Sequence, residues 1–337
     1  MQPSTRAATS ALAALSLIAL AGCGEDPQAG SGSGGDGSSY AAVIKGLDNP
    51  FFQQMEQGLD AQAGEDDVSV EIQAAQSVTD TSGQADKLDA MAQQGYDCYV
   101  VNPISGTNLV QGLARIAAEG TPVVNIDSPV EADAAEKASL EISTYIGTDN
   151  TEAGVKAGET MIEALDGAGD VALIGGISGD VTSGARLDGF TQGVEGKLDI
   201  VQTVAADWDR QTALTKATDI LSSQPNLKGF FSANDDMALG IARAVANAGR
   251  TGEIAIIGVD GIEDALTAVQ SGDLYATVAQ YPYAIGQMGV QACEKAAAGE
   301  DLPSTIVAPT AVVTEDKADQ ALESFPAPFE EFDNPLD

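Results

Sequence analysis

The sequence predicts an α/β protein of two lobes, each a doubly wound parallel sheet. Three observations carry this. From Tyr40 onward, short apolar runs alternate with longer amphipathic segments, the rhythm of strand–helix units. Glycines stand at the ends of the amphipathic segments, where helices commonly stop. The units number about nine, more than one comfortable sheet holds, so they divide between two lobes.

In order, AAVIK (41–45), VSVEI (68–72), CYVVN (98–102) and VVNID (123–127) read as buried strands, because parallel strands covered on both faces are continuously apolar. Helices are expected at 50–63, 84–94 and 107–119, the first opening on Pro50, a residue suited to the first helical position. Gly64, Gly95 and Gly120 close them. The rhythm resumes with strands at 171–176, 200–206, 229–233, 254–260 and 275–280. Helices accompany them at about 151–165, 184–195, 211–223, 236–248 and 284–298, with Gly249 and Gly299 ending two. From about 315 the chain, carrying Pro326, Pro328 and Pro335, reads as irregular.

Composition excludes whole classes of function. Fifty-one Asp and Glu against fifteen Lys and Arg give a formal charge of −36. A surface that negative repels phosphate backbones, so nucleic acid is not a partner. There is no histidine, which removes His-based triads, general bases and metal ligands together. Cys23, Cys98 and Cys293 form no CxxC and no zinc spacing. Arg6 precedes an apolar run over 7–20, too short to span a bilayer but suited to the core of a signal peptide. The run ends in Leu20-Ala21-Gly22-Cys23, which resembles a bacterial lipobox; the alternative is an ordinary signal peptide. Lipidation of Cys23 is the expectation. Residues 24–39 are rich in Gly and Ser and read as a flexible tether. Gly30-Ser31-Gly32-Ser33-Gly34-Gly35 matches GxGxxG within it, without the strand and helix that a dinucleotide site needs.

Ligands of open parallel sheets bind beyond the carboxyl ends of the strands. The residues there are Lys45, Asn102, Asp127, Asn234, Asp260 and Gln280. Such a mixture of donors, acceptors and amides suits a neutral polyhydroxylated ligand. The same residue types also cap helices, so capping alone accounts for any one of them taken singly. Aromatic residues are scarce at 5%, which makes Phe51, Phe52 and Trp208 informative. Flat rings cover the C–H faces of a pyranose, although one of the phenylalanines could simply staple the helix entry.

Here the motifs converge on a family. Lys45-Gly-Leu-Asp-Asn49-Pro50-Phe51-Phe52, Asn102-Pro103, Ile126-Asp127, Gly147-Thr148-Asp149-Asn150, Ala185-Arg186, Ala206-Asp207-Trp208-Asp209-Arg210, Asn234-Asp235-Asp236-Met237-Ala238, Gly258-Val259-Asp260-Gly261 and Val278-Ala279-Gln280 follow in order. Over residues 40–313 the chain resembles the periplasmic sugar-binding proteins of ABC importers, in the ribose- and allose-binding branch. The resemblance implies two lobes joined by three hinge crossovers, near Thr148-Asp149, Gln280-Tyr281 and 308–309, closing on one sugar. It implies sugar contacts at Lys45, Asn49, Phe51, Phe52, Asn102, Asp127, Arg186, Trp208, Asn234, Asp260 and Gln280. Lys45 and Trp208 follow the allose-binding pattern, Phe52 and Asn102 the ribose-binding one. Ser128 departs from ribose binders, which place a sugar-contacting Arg there.

The expected organisation is a signal peptide over 1–22, a tether over 23–39, a first lobe from 40–148 plus 281–308, a second from 149–280 plus 309–325, and an irregular tail over 326–337. The expected function is that of an exported, lipid-anchored monomer that binds an aldopyranose, or a related polyol, and delivers it to a membrane permease without cofactor or chemistry. A sensor presenting its sugar to a membrane receptor is the related alternative. A glycosidase using Asp127 and Asp260 is the enzymatic one; Arg186 and Lys45 would keep those carboxylates ionised. A lactose-repressor-type regulator is excluded by the leader, the charge and the missing helix-turn-helix. Cys98 starts a core strand and Cys293 lies within a helix, so buried free thiols are expected, although export permits a disulfide.

Overall fold

A computed structural model describes residues 37–337. The leader, Cys23 and most of the tether lie outside the described residues. The chain runs β1 (Ser39–Ile44), α1 (Pro50–Glu65), β2 (Ser69–Ala74), α2 (Thr81–Met91), β3 (Cys98–Val101), α3 (Val110–Ala118), β4 (Val123–Ile126), α4 (Ala132–Ala138) and β5 (Thr144–Thr148). It continues through α5 (Asn150–Ala164), β6 (Asp170–Gly175), α6 (Val181–Gly193), β7 (Asp199–Ala205), α7 (Arg210–Ser223), β8 (Gly229–Ser232), α8 (Asp235–Asn247), β9 (Ala255–Asp260), α9 (Glu263–Gln270) and β10 (Ala276–Ala279). It ends in α10 (Pro282–Ala297), β11 (Thr305–Ala308), β12 (Ala311–Thr314) and α11 (Glu315–Ser324).

The strands form two six-stranded sheets, β11-β5-β4-β3-β1-β2 and β12-β10-β9-β8-β6-β7. Helices cover both faces of each, which defines two α/β lobes. Their cores are dominated by Val, Ile, Phe and Ala from strand centres and inward helix faces. The chain passes between sheets three times: after β5, between β10 and α10, and between β11 and β12. The last passage explains the one departure from parallel pairing. Strands of both sheets point their carboxyl ends at the crossovers, so a chain leaving β11 enters the second sheet against its grain. With only Pro309 and Thr310 between the strands, no reversing helix intervenes, and β12 pairs antiparallel with β10.

Helix starts are fixed by side chains. Asp149, Asp180, Asp209 and Asn234 each accept a hydrogen bond from the backbone N–H three residues on, and Asn49 from Phe51. Gly95, Gly120, Gly249 and Gly299 take the left-handed conformation after helices, as expected. Gly64 does not: α1 continues through it to Glu65, and Asp67 makes the turn at φ 54°. Elsewhere glycine permits close approach. A Cβ on Gly58 would strike the Tyr283 backbone, so α1 and α10 cross nearly in contact.

Two expectations are corrected. Cys98 and Cys293 are buried, but they are joined in a disulfide with a Cα–Cα distance of 5.6 Å. The reason is tertiary: α10 lies across β3 and β4, which sets its buried face over the start of β3. The chain after 315 is not irregular throughout, since 315–324 is the helix α11. The segment beyond it has no regular structure yet is packed down. Phe325 and Phe329 lie against the core of the second lobe, Leu336 is buried in that of the first, and Phe332 touches both. Asn334 donates to Gln291 Oε1 on α10 at 2.9 Å.

Candidate functional site

A cavity of about 560 Å³, counting the part open to solvent, lies where the carboxyl ends of the two sheets face each other. From the first lobe it is lined by Lys45, Asn49, Phe51, Phe52, Val78, Ile104, Asp127 and Ser128. From the second come Ile177, Asp180, Thr182, Arg186, Trp208, Asn234 and Asp260.

On the first lobe, Lys45 follows β1 and donates from Nζ to Ser128 Oγ at 2.6 Å. Ser128 Oγ donates onward to Asp127 Oδ2 at 3.2 Å, and Lys45 Nζ lies 3.8 Å from the same carboxylate. The ammonium also stands 5.3 Å from the Phe52 ring centroid, within cation–π range. Phe51 and Phe52 meet edge to face at 5.2 Å. Asp127 adopts φ 57°, a left-handed turn that ends β4 and presents the carboxylate to the cavity. The Tyr145 hydroxyl secures the turn by donating to the Asp127 carbonyl at 2.6 Å. Burial pushes the Tyr145 phenol well above its ordinary range, so it stays a donor.

The second lobe is tied more deeply. Arg186, on α6, donates through Nε to Asn150 Oδ1 at 2.8 Å and through an Nη to the Ala233 carbonyl at 2.7 Å. The same nitrogen lies 3.4 Å from Asp260 Oδ1. Gln280 Nε2 donates to that oxygen at 2.7 Å. Asp260 has φ 134°, in a region that side-chain-bearing residues rarely occupy. What holds it is Asp235 beneath, fully buried, accepting from the Gly261 and Ile262 N–H groups at 2.7 and 3.1 Å and from Thr277 Oγ1 at 2.8 Å. Burial raises both carboxyls. Asp235 is pushed up to about 6, its hydrogen bonds opposing the shift. Asp260 also rises, with Arg186 pulling the other way and Asp235 adding to the burial. Burial and the Arg186 guanidinium thus act on the Asp260 carboxyl in opposite directions.

Of the residues expected at the site, Lys45, Asn49, Phe51, Phe52, Asp127, Arg186, Trp208, Asn234 and Asp260 line the cavity. Asn102 and Gln280 do not. Asn102 is fully buried behind the wall, its Nδ2 at 3.4 Å from Met55 Sδ and its carbonyl accepting from Gln84. Gln280 stands behind Asp260 as its hydrogen-bond donor. Helix capping and cleft lining, separate roles in the sequence, coincide at Asn49 and Asn234. Each spends its oxygen on a cap and faces the cavity, which leaves the amide nitrogen as the group for a ligand. The apolar Val78, Ile104 and Ile177 were invisible in the sequence as site residues. Asp180, which caps α6, was not singled out in the sequence, and Asp235 was legible only as part of a motif.

Two α/β lobes with a polar, aromatic-walled cavity between their carboxyl edges define the two-lobed binding-protein class. Residues 40–301 match the family model described as periplasmic binding protein domain, and the chain belongs to that family. It is 37% identical over 257 residues to the D-allose-binding periplasmic protein of Escherichia coli, covering 75% of this chain and 83% of that one. It is 31% identical over 312 residues to the ribose import binding protein of Bacillus subtilis, covering 91% and 99%. An ABC transporter periplasmic solute-binding protein from Actinobacillus succinogenes, solved with D-allose bound, superposes with a TM-score of 0.80 at 28% identity, covering 84% of this chain and 99% of that one. These relatives are solute-binding proteins, and the glycosidase reading falls with them.

Proposed function

We propose that this protein is the lipid-anchored, exported solute-binding component of an ABC sugar importer, and that it binds an aldopyranose of the ribose or allose type between its lobes. The observation that carries this is the charge and shape of the cavity. Lys45 faces Asp127 and Arg186 faces Asp260 within their own lobes, and Asp180, the third carboxylate on the wall, caps α6. Both cations thus already have partners in the protein, and the walls offer hydrogen bonds rather than a site for an anion. Phe51 and Phe52 on one side and Trp208 on the other supply flat apolar faces for the C–H surfaces of a ring. The donor that Ser128 lacks is supplied by Lys45, whose ammonium rests on the serine hydroxyl. The hinge lies at the three crossovers, with 40–148 plus 281–308 moving against 149–280 plus 309–325. Closure follows because only the closed form lets one ligand touch both lobes. The anchor is Cys23, the partners are one small sugar and a membrane permease, and the working unit is a monomer.

A thermal-shift screen across aldoses, ketoses and polyols tests the reading. A ligand at one hundred times its Kd adds about 2.7 kcal/mol to stability. Calorimetry on the best sugar should show Asp127→Ala and Asp260→Ala each weakened about tenfold or more, since charge-assisted hydrogen bonds contribute about 1.5–3 kcal/mol. Unaltered affinity in both variants would take the sugar out of this cavity. Cys23→Ser should move the protein out of the membrane fraction; retention there would sink the anchor.

A further inference from the structure

Trp208 is the only tryptophan in the chain, and its position in the cavity depends on a glycine behind the wall. It follows β7, and both Asp207 and Trp208 have left-handed backbones, with φ 56° and 60°. Two such residues in succession persist only where their surroundings hold them. Here the Ala206 N–H donates to the Gly175 carbonyl at 2.8 Å, the Asp207 N–H to Gly176 at 3.3 Å and the Asp209 N–H to Ala206 at 2.9 Å. The resulting turn lays the indole over the end of β6, directly on Gly176.

A Cβ built on Gly176 falls among Cε2, Cδ2 and Cζ2 of the indole, closer than real Cβ atoms come to any neighbour. The backbone at Gly176 is not in the left-handed region, so the need for glycine is one of space, not conformation. Nor is the strand end free to retreat. The Gly176 N–H is held by the buried Ser183 Oγ at 2.8 Å, and Ser183 sits in the first turn of α6, the helix that carries Arg186. The Arg186 guanidinium stands 5.9 Å from the indole centroid. A ring lifted off Gly176 therefore has the cavity to move into, beside the cation that pairs with Asp260.

We propose that Gly176 is a specificity-determining position: having no side chain, it seats the Trp208 indole flat against β6, and this seating sets how large a sugar the second lobe admits. The ligand part rests on the sugar-binding reading above; the seating does not. With alanine at 176 the ring stands forward and takes space from the ligand, so the larger sugar suffers more.

The test uses Gly176→Ala, Trp208→Leu and the double variant in the otherwise intact protein. In ligand-free Gly176→Ala, tryptophan emission should shift to longer wavelength and acrylamide quenching should rise, with no second tryptophan to mask either change. By calorimetry the affinity for D-allose should fall about tenfold or more while that for D-ribose changes less, since small steric differences in a closed pocket are worth about 10–200-fold. In the double variant the alanine should cost almost nothing, leaving affinity within about threefold of Trp208→Leu alone and the same Tm. Unchanged emission and quenching in Gly176→Ala, equal losses for the two sugars, or additive losses in the double variant would overturn the proposal. If Gly176→Ala fails to fold, the double variant must regain the Tm of Trp208→Leu, and failure to do so overturns it equally. A wild-type protein that binds no sugar in the screen defeats the sugar-binding reading instead, while the emission and Tm comparisons still decide whether Gly176 seats the indole.

Discussion

The two halves of the cavity are built to different standards. On the first lobe, Lys45, Ser128 and Asp127 form a chain of pairwise contacts at the cavity wall, with the Lys45 and Asp127 side chains 14% and 10% exposed. On the second, Arg186 and Asp260 are each 5% exposed and cross-linked to Asn150, Ala233 and Gln280. Asp235 underpins that group from below. The second half is thus preorganised by its own lobe, whereas the first holds its cation by one hydroxyl and a longer ion pair. Preorganisation lowers the ordering cost of binding. On the proposed closing of the lobes over a sugar, this supports an order in which the ligand settles on the second lobe and the first closes over it.

Breaking each cation in turn puts that contrast to its hardest trial. Arg186→Met leaves Asp260 buried without its charge partner and removes the donors to Ala233 and Asn150. Removing one member of a buried pair costs about 3–5 kcal/mol, so unfolding of the ligand-free protein in urea should come at markedly lower denaturant. Lys45→Met should cost less than Arg186→Met, because the 3.8 Å pair to Asp127 borders the cavity and Ser128 still donates to that carboxylate. Equal losses from the two substitutions would end the distinction between the half-sites.

The first lobe compensates elsewhere, through the covalent tie between β3 and α10. Cys98→Ala with Cys293→Ala should lower stability by about 2–5 kcal/mol, the usual cost of removing a native disulfide. The loss should be confined to the first lobe, so amide exchange should accelerate in β3, β4 and α10 and remain slow in β8 and β9. Acceleration in both lobes alike would show that the sheets unfold as one unit.

Acid sharpens the comparison from the other side. Asp235 has a folded pKa of about 6 against an ordinary 3.8, raised chiefly by burial, and the Asp260 carboxyl beside it is raised too. A carboxyl raised on folding favours the folded state most when protonated. The contribution is complete below the unfolded pKa and is lost as pH rises through the folded one. The second lobe should therefore gain stability as pH falls from 7 toward 5, and Asp235→Asn should remove much of that gain. Relief of the general negative charge also favours acid, so the informative quantity is the difference in Tm between wild type and Asp235→Asn at each pH. A difference that does not vary with pH would show that Asp235 is already protonated, or never titrates, in the folded state.

What the sequence disclosed follows the same division between local and distant causes. Strands with continuous apolar runs, such as 98–101 and 229–232, and amphipathic helices closed by glycine were legible because their determinants lie within a few residues. The Thr144–Thr148 strand was not, since Thr, Tyr and Gly give it no apolar run, and its place is set by pairing with β4 and β11. The α11 helix carries few apolar residues and is held by packing against α9. The disulfide depended on how α10 crosses β3, which spacing along the chain does not encode. Within the cavity, the strand-end Lys, Asp and Asn residues announced themselves, because a polar side chain directly after a buried run marks the edge of the sheet where ligands bind. Asn102 shared that signature and yet faces away, because the strand-end rule locates a residue at the edge of the sheet and not the direction of its side chain. Val78, Ile104 and Ile177 reach the wall from loops whose course only the folded lobes determine.

The smallest expected effect concerns Ser128, the point at which the first half-site rests on a single hydroxyl. Its Oγ accepts from Lys45 and donates to Asp127, so Ser128→Ala removes both hydrogen bonds without opening a large space. Neither partner is left dry: Lys45 and Asp127 line the open cavity, where water or the ligand's own hydroxyls can replace the serine. A hydrogen bond exchanged in this way contributes about 0.5–1.5 kcal/mol net, so sugar affinity should fall by about two- to tenfold with little change in Tm. On that order of events, the loss should appear mainly as faster release. Stopped-flow tryptophan fluorescence separates the two rate constants. A slower association with unchanged release would place Ser128 in the first encounter with the sugar and reverse the order of events assigned to the lobes.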